Sequence, residues 1–170
     1  VEQLYTGMLN QRLRELTNEP DPPFVFGGVG KGRFARTTQS VSLYATAEDG
    51  GLERALEAIL LEAKRVAEHG FTEAELERTR AGTLRSLRNR YDERENVDNG
   101  RYARQYASRF LEDRNIPGIE WRYDAVQRLL PGIDVEEVNA VDLGAELLQP
   151  ENRVITASAP DAPGVPVPTE

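Results

Sequence analysis

The stretch Gly70-Phe71-Thr72-Glu73-Ala74-Glu75-Leu76 constrains the architecture of this chain more than any other segment. A glycine just past a helix end adopts a left-handed backbone without a Cβ penalty, so Gly70 reads as the end of one helix. Thr72 and Glu75 have the spacing of a reciprocal capping box, and Phe71 and Leu76 that of the hydrophobic staple around it. One helix must stop and another must start within a few residues.

Helical periodicity supports this on both sides. Leu52, Leu56, Ile59, Leu60, Ala63 and Val66 predict one apolar face over about Asp49–His69. The capped helix runs on from Thr72 to about Tyr91. An earlier helix carries Leu4, Met8, Leu9, Leu13 and Leu16 and stops before the stiff turn Asn18-Glu19-Pro20-Asp21-Pro22-Pro23. Phe24-Val25-Phe26 reads as a short strand, Gly27 to Gly32 as a flexible connection, and Phe34 to Ala47 as a longer strand completing a hairpin.

Beyond the polar segment Asp92–Gly100, a fourth helix carries the ladder Tyr102, Tyr106 and Phe110, which reads as core. A fifth starts at Ile116-Pro117, where proline suits the first helical position. It carries Trp121, Ala125, Leu129 and Leu130. Asp134 with Glu137 forms a second capping box, stapled by Ile133 and Val138, on a helix reaching about Leu148. Arg153–Ser158 reads as a last strand. Segregated strands and helices predict an α+β fold, an antiparallel sheet packed against a layer of helices. Three strands make a thin sheet, so its first strand is expected to be missing. Residues 1–160 read as a single domain and the proline-rich 161–170 as an inter-domain linker. The chain opens in helix without an initiator methionine and is expected to be a piece of a longer protein.

With 170 residues the chain can bury a real core. A net charge of -8 argues against general affinity for nucleic acid or anionic membrane, and no apolar run is long enough for a membrane span. No cysteine is present, which excludes disulfides and thiolate chemistry.

The chemistry-bearing residues are few. His69 is the single histidine, so neither HExxH nor HxxEH can be written, and no catalytic or metal-binding residue is assigned. At a helix C-terminus a histidine is expected to face the last carbonyls. The glycine run fails the phosphate-loop pattern because Gly32, not Ser or Thr, follows Lys31. Arg78, Arg80, Arg85, Arg88 and Arg90 point in several directions on a helix and form no stripe. Arg80 differs, because it falls among Leu76, Leu84 and Leu87 on the apolar face. It is expected to pair with an acid or to form an inter-domain contact. Asp92, Glu93, Glu95 and Asp98 match no calcium loop.

The order of segments carries a resemblance. Leu9-Asn10-Gln11-Arg12-Leu13-Arg14-Glu15-Leu16 precedes a proline-rich turn and Pro23-Phe24. Next comes Glu68-His69-Gly70-Phe71-Thr72-Glu73-Ala74-Glu75-Leu76-Glu77-Arg78. Gly132 to Val138 and Glu151-Asn152-Arg153-Val154-Ile155 complete the series. Over nearly its whole length the chain resembles the non-catalytic domain of the pitrilysin/insulinase family of zinc metallopeptidases, as the second domain of the first half. The resemblance implies a parent that is a metalloendopeptidase with zinc held in another domain by two His and a Glu. Within that parent, this segment would serve as a structural wall of the chamber. The implied partners are other domains of the same chain and an unfolded peptide substrate, with self-association of the fragment through an exposed sheet edge. A bacterial parent would be periplasmic or secreted. Gly164-Val165-Pro166-Val167-Pro168 resembles the linker to the second half. In the family's closing domain an Arg followed seven positions later by Tyr grips substrate. Here Arg14 is followed by Asp21, and the nearest aromatic is Phe24, so no substrate-binding residue is carried over. A non-catalytic scaffold or partner subunit of the same family, and a free-standing helical interaction domain, remain as alternatives.

Overall fold

In the computed structural model, residues 1–35, 38–111, 115–163, 165 and 166 are described. The chain forms two compact units. One joins Val1–Thr72 with Val135–Glu170, and the other is Glu73–Asp134.

The first unit opens with α1 (Glu2–Leu16), which buries Leu4, Tyr5, Met8, Leu9 and Leu13 along one side. A hairpin comes next, β1 (Phe26–Ala35) and β2 (Thr38–Thr46), antiparallel in a register from Phe26 opposite Thr46 to Arg33 opposite Gln39. The hairpin is as expected, but the glycine run is not its connection. Gly27 to Gly32 lie within β1, and residues 36 and 37 between the strands lie outside the described residues. Local space accounts for this placement of the first two glycines. A Cβ on Gly27 would come within 2.7 Å of the buried Phe24 ring, and one on Gly28 within 2.7 Å of the Tyr44 hydroxyl.

A two-stranded hairpin is marginal in water and needs packing to persist. Val29 supplies it by burying its side chain, while its backbone is held by Asn10 of α1. The Val29 N–H donates to Asn10 Oδ1 and Asn10 Nδ2 donates to the Val29 carbonyl, each at 2.9 Å.

α2 (Leu52–His69) buries Ala55, Ile59, Glu62, Ala63 and Val66. This face is rotated from the one periodicity suggests: Leu56 is largely exposed while Glu62 is buried. The helix ends as expected at Gly70, whose φ is 67° but whose ψ is -163°. That combination is an extended conformation open almost only to glycine, not the left-handed helical one. A Cβ there would also meet the Asn139 amide at 2.7 Å. Asn139 takes up the backbone of the next residue. The Phe71 N–H donates to Asn139 Oδ1 at 2.8 Å, and Asn139 Nδ2 donates to the Phe71 carbonyl at 3.1 Å.

The helix expected from Asp134 to Leu148 is two pieces, α6 (Val135–Asn139) and α7 (Leu143–Leu148), starting directly after Asp134. Asp142 adopts a left-handed φ of 47° between them, and its Oδ1 accepts from Ala145 N at 3.3 Å. The break re-aims the chain so that Gly144 meets α2 and α1. A Cβ at 144 would lie 2.9 Å from the Ala63 carbonyl oxygen and 2.9 Å from the Tyr5 hydroxyl. The Gly144 N–H donates to Tyr5 Oη at 2.8 Å. Burial raises the Tyr5 pKa above the usual tyrosine value, an effect the Gly144 hydrogen bond partly offsets. The strand expected over Arg153–Ser158 forms no ladder among the described residues. Strand conformation needs a neighbouring edge, and Val154 and Ile155 are instead exposed.

The second unit contains α3 (Glu73–Asp92), a short 3-10 turn at Arg94–Asn96, α4 (Asn99–Leu111) and α5 (Ile119–Leu129). α3 begins directly after Thr72, at the position the capping box assigns. Pro117 lies outside α5, whose N-cap is Gly118. α3 and α5 pack through stacked Tyr91 and Tyr123, with ring centroids 4.7 Å apart. The aromatic ladder of α4 is not core: no residue of this helix is buried, and Phe110 is 83% exposed.

Two measurements check this account. Gly144→Ala must push backbone apart and should cost about 1–3 kcal/mol, lowering the urea midpoint. Gly30→Ala, with nothing within 4 Å of the new Cβ, should leave the midpoint unchanged or slightly raised. The second concerns the proline turn, where Arg54 Nη1 and Nη2 donate to Asp21 Oδ1 and Oδ2 at 3.0 and 2.8 Å. Those hydrogen bonds lower the Asp21 pKa below its ordinary value. The pair's stabilisation is therefore present above the unfolded carboxylate pKa of about 3.9 and is lost as pH falls below it. Urea midpoints taken from pH 6 to pH 3 should fall less for Asp21→Asn than for the parent. The difference should be small, because the pair is exposed.

Candidate functional site

A buried cluster of charge in the first unit forms a joint between α1, α2 and the residues just past α2. Arg12 flanks the buried side of α1, and Glu62 lies on the buried side of α2, three residues from Ile59 and four from Val66. Arg12 Nη1 donates to Glu62 Oε1 at 3.3 Å, and Arg65 Nη1 donates to Glu62 Oε2 at 2.8 Å. Arg12 Nη2 donates to the Gly70 carbonyl at 3.0 Å, and the guanidinium carbon sits 5.0 Å from the centroid of the Phe71 ring. Tyr5 meets the same ring edge-on at 4.9 Å.

Both Glu62 oxygens are engaged and its side chain is 4% exposed. A buried carboxylate is tolerated when paired and hydrogen-bonded in this way. The arrangement orients three elements and leaves Glu62 poorly placed to activate water. Sequence reasoning missed Glu62, although the signal was available. Like Arg80, it is a charged residue inside an apolar stripe.

His69 closes α2 with its ring 72% exposed, and its Nε2 is 4.0 Å from Glu68 Oε2. Among the described residues, no group of three His, Cys, Asp or Glu is placed to hold a metal ion. Arg14, Asp21 and Phe24 are not brought together. Arg14 Nη2 donates to Gln11 at 2.8 Å, Asp21 binds Arg54, and Phe24 is buried.

In the second unit, Arg80 has a side chain only 12% exposed. Its Nη1 donates to Glu77 Oε1 and its Nη2 to the Ile133 carbonyl, with Glu73 4.0 Å away. Its Nε is buried without a hydrogen-bond partner among the described residues. The other arginines of α3 spread outward, as Arg88 does in reaching Asp92 at 3.3 Å. A hollow of about 500 Å³ is lined by Glu93, Asn96, Val97, Asp98, Arg101 and Arg104. Charges of both signs face it, so it concentrates neither.

No family model matches the chain. It is 28% identical over 139 residues to a zinc protease PQQL-like protein of Arabidopsis thaliana, across 82% of this chain and 12% of that protein. It is 27% identical over 143 residues to the probable zinc protease PqqL of Escherichia coli, across 81% of this chain and 15% of that one. The chain thus spans less than one sixth of these relatives. Among solved structures, the first half of the periplasmic protease PqqL from Escherichia coli superposes with a TM-score of 0.75 at 24% identity. That match covers 83% of this chain and 30% of that structure. A predicted insulinase family protease from Yersinia pestis superposes with a TM-score of 0.72 at 13% identity, covering 91% and 35%. Below 25% identity these superpositions establish the fold, and the aligned sequences carry the relationship. In sequence the chain is similar to segments of two proteins named as zinc proteases, and its fold is that of segments of the solved PqqL and insulinase family protease structures.

Proposed function

We propose that the chain is a non-catalytic, chamber-wall domain of a zinc-dependent metalloendopeptidase, with the zinc held in a different domain of the parent. In this reading residues 1–160 act as one domain and 161–170 as the linker to the second half of the parent; of that linker, Gly164 and residues 167–170 lie outside the described residues. The observation that carries the reading is the match of most of this chain to under a third of the PqqL first-half structure. The charged clusters fit a structural role, since Glu62 and Arg80 are both spent on holding elements together. In this reading any inter-domain contact of Arg80 is made through the 12% of its side chain that stays exposed. In the same reading the parent is periplasmic, as PqqL of Escherichia coli is. Among the described residues no helix is long and apolar enough to cross a membrane.

Zinc content and cleavage of an unfolded peptide test this reading when measured on the 170-residue chain and on the full-length protein. The full-length protein should hold about one zinc, as a catalytic site requires, and lose cleavage to a chelator. The 170-residue chain should do neither. Stoichiometric zinc in the short chain would overturn the reading. A full-length protein without zinc or cleavage would establish the scaffold instead.

A further inference from the structure

α4 is the one long helix of either unit that buries nothing among the described residues. Its composition is not that of a solvated helix. Tyr102 anchors it, donating from Oη to the Arg94 carbonyl at 3.1 Å. Beyond that anchor, at about 100° per residue, Tyr106, Phe110, Ala103, Ala107 and Leu111 fall on one continuous strip, and all five are exposed. Tyr106, Phe110 and Leu111 are 50%, 83% and 69% exposed. Isolated exposed apolar residues are ordinary, but a contiguous aromatic strip marks a surface that docks on something. Arg109 borders the strip on one side and Arg104 on the other. Within Asn99–Leu111 there are three arginines and no carboxylate. The helix therefore carries +3 in a chain of net charge -8, leaving -11 for the rest.

We propose that α4 is a docking helix that holds this segment against another domain of a longer parent. The receiving surface is apolar with a rim of Asp and Glu. This rests on the reading of the chain as part of a larger protein, in line with relatives that are more than five times its length. Two copies of α4 laid face to face would set +3 against +3, which disfavours self-docking through this helix. Its three arginines fall short of the cluster of about four to eight basic residues that marks an anionic-lipid-binding helix.

The test uses the full-length protein with p-benzoylphenylalanine in place of Phe110, irradiated, digested and analysed by mass spectrometry. Cross-links should fall within the same polypeptide, outside residues 1–170, on a segment with Asp or Glu beside apolar residues. In a companion full-length variant carrying Phe110→Ser and Arg104→Glu, amide exchange in α4 should accelerate by about tenfold or more. Cross-links only to a second copy, to another protein or to added phosphatidylserine vesicles would overturn the proposal. So would an absence of cross-links with α4 exchange unchanged in the variant. Zinc content measured on the same preparation separates the two readings. Intramolecular cross-links in a zinc-free protein would sustain the docking helix while removing the peptidase.

Discussion

The first unit closes at one hydrogen bond, from the Gly144 amide to the Tyr5 hydroxyl, between residues 139 positions apart. Tyr5 must be buried to reach it, and its ring then packs edge-on against Phe71. Phe71 is held by Asn139 at its backbone and by Arg12 over its ring. Arg12 in turn satisfies Glu62 and the carbonyl of Gly70. Each group occupies a place that only its neighbours make tolerable. The approach of α7 to α2 is possible because residue 144 has no Cβ.

Because the first unit is assembled from both ends of the chain, its contacts are long-range. Those of the second unit stay within one continuous run, Glu73–Asp134, with Arg80 and the Ile133 carbonyl 53 positions apart. Loop closure costs somewhat more in the former, by about 0.6 kcal/mol for each doubling of loop length. Tyr5 of α1 and Phe71 past the end of α2 are the points at which α6 and α7 are held.

What was legible in the sequence was what local chemistry decides. The bounds of α1, α2 and α3 are set by apolar spacing, the proline turn, Gly70 and the Thr72 position, and they lie within a few residues of those expected. Elements decided by distant partners were not legible. Gly27 and Gly28 are strand because a ring from Phe24 and a hydroxyl from Tyr44 need their space. The turn at Asp142 exists because Gly144 must meet Ala63. Glu62 is interior because Arg12, fifty residues earlier, is there to receive it. At the candidate site Arg80 was singled out from its place on the apolar face, whereas its acceptor, the Ile133 carbonyl, lies 53 positions away and has no sequence signal.

Asn10 and Asn139 perform the same act at different places, each presenting an amide that copies a peptide group to one residue's N–H and C=O. At Val29 that copy sits on the edge of β1 turned away from β2. A strand from a foreign chain arriving in register would find both hydrogen-bonding groups of Val29 already engaged. One asparagine on a neighbouring helix thereby interrupts the template for intermolecular β-pairing in the middle of a glycine-rich strand. Glycine-rich strands specify their pairing register only weakly, so a fixed point of this kind counts for more here than in a strand with a full set of side chains.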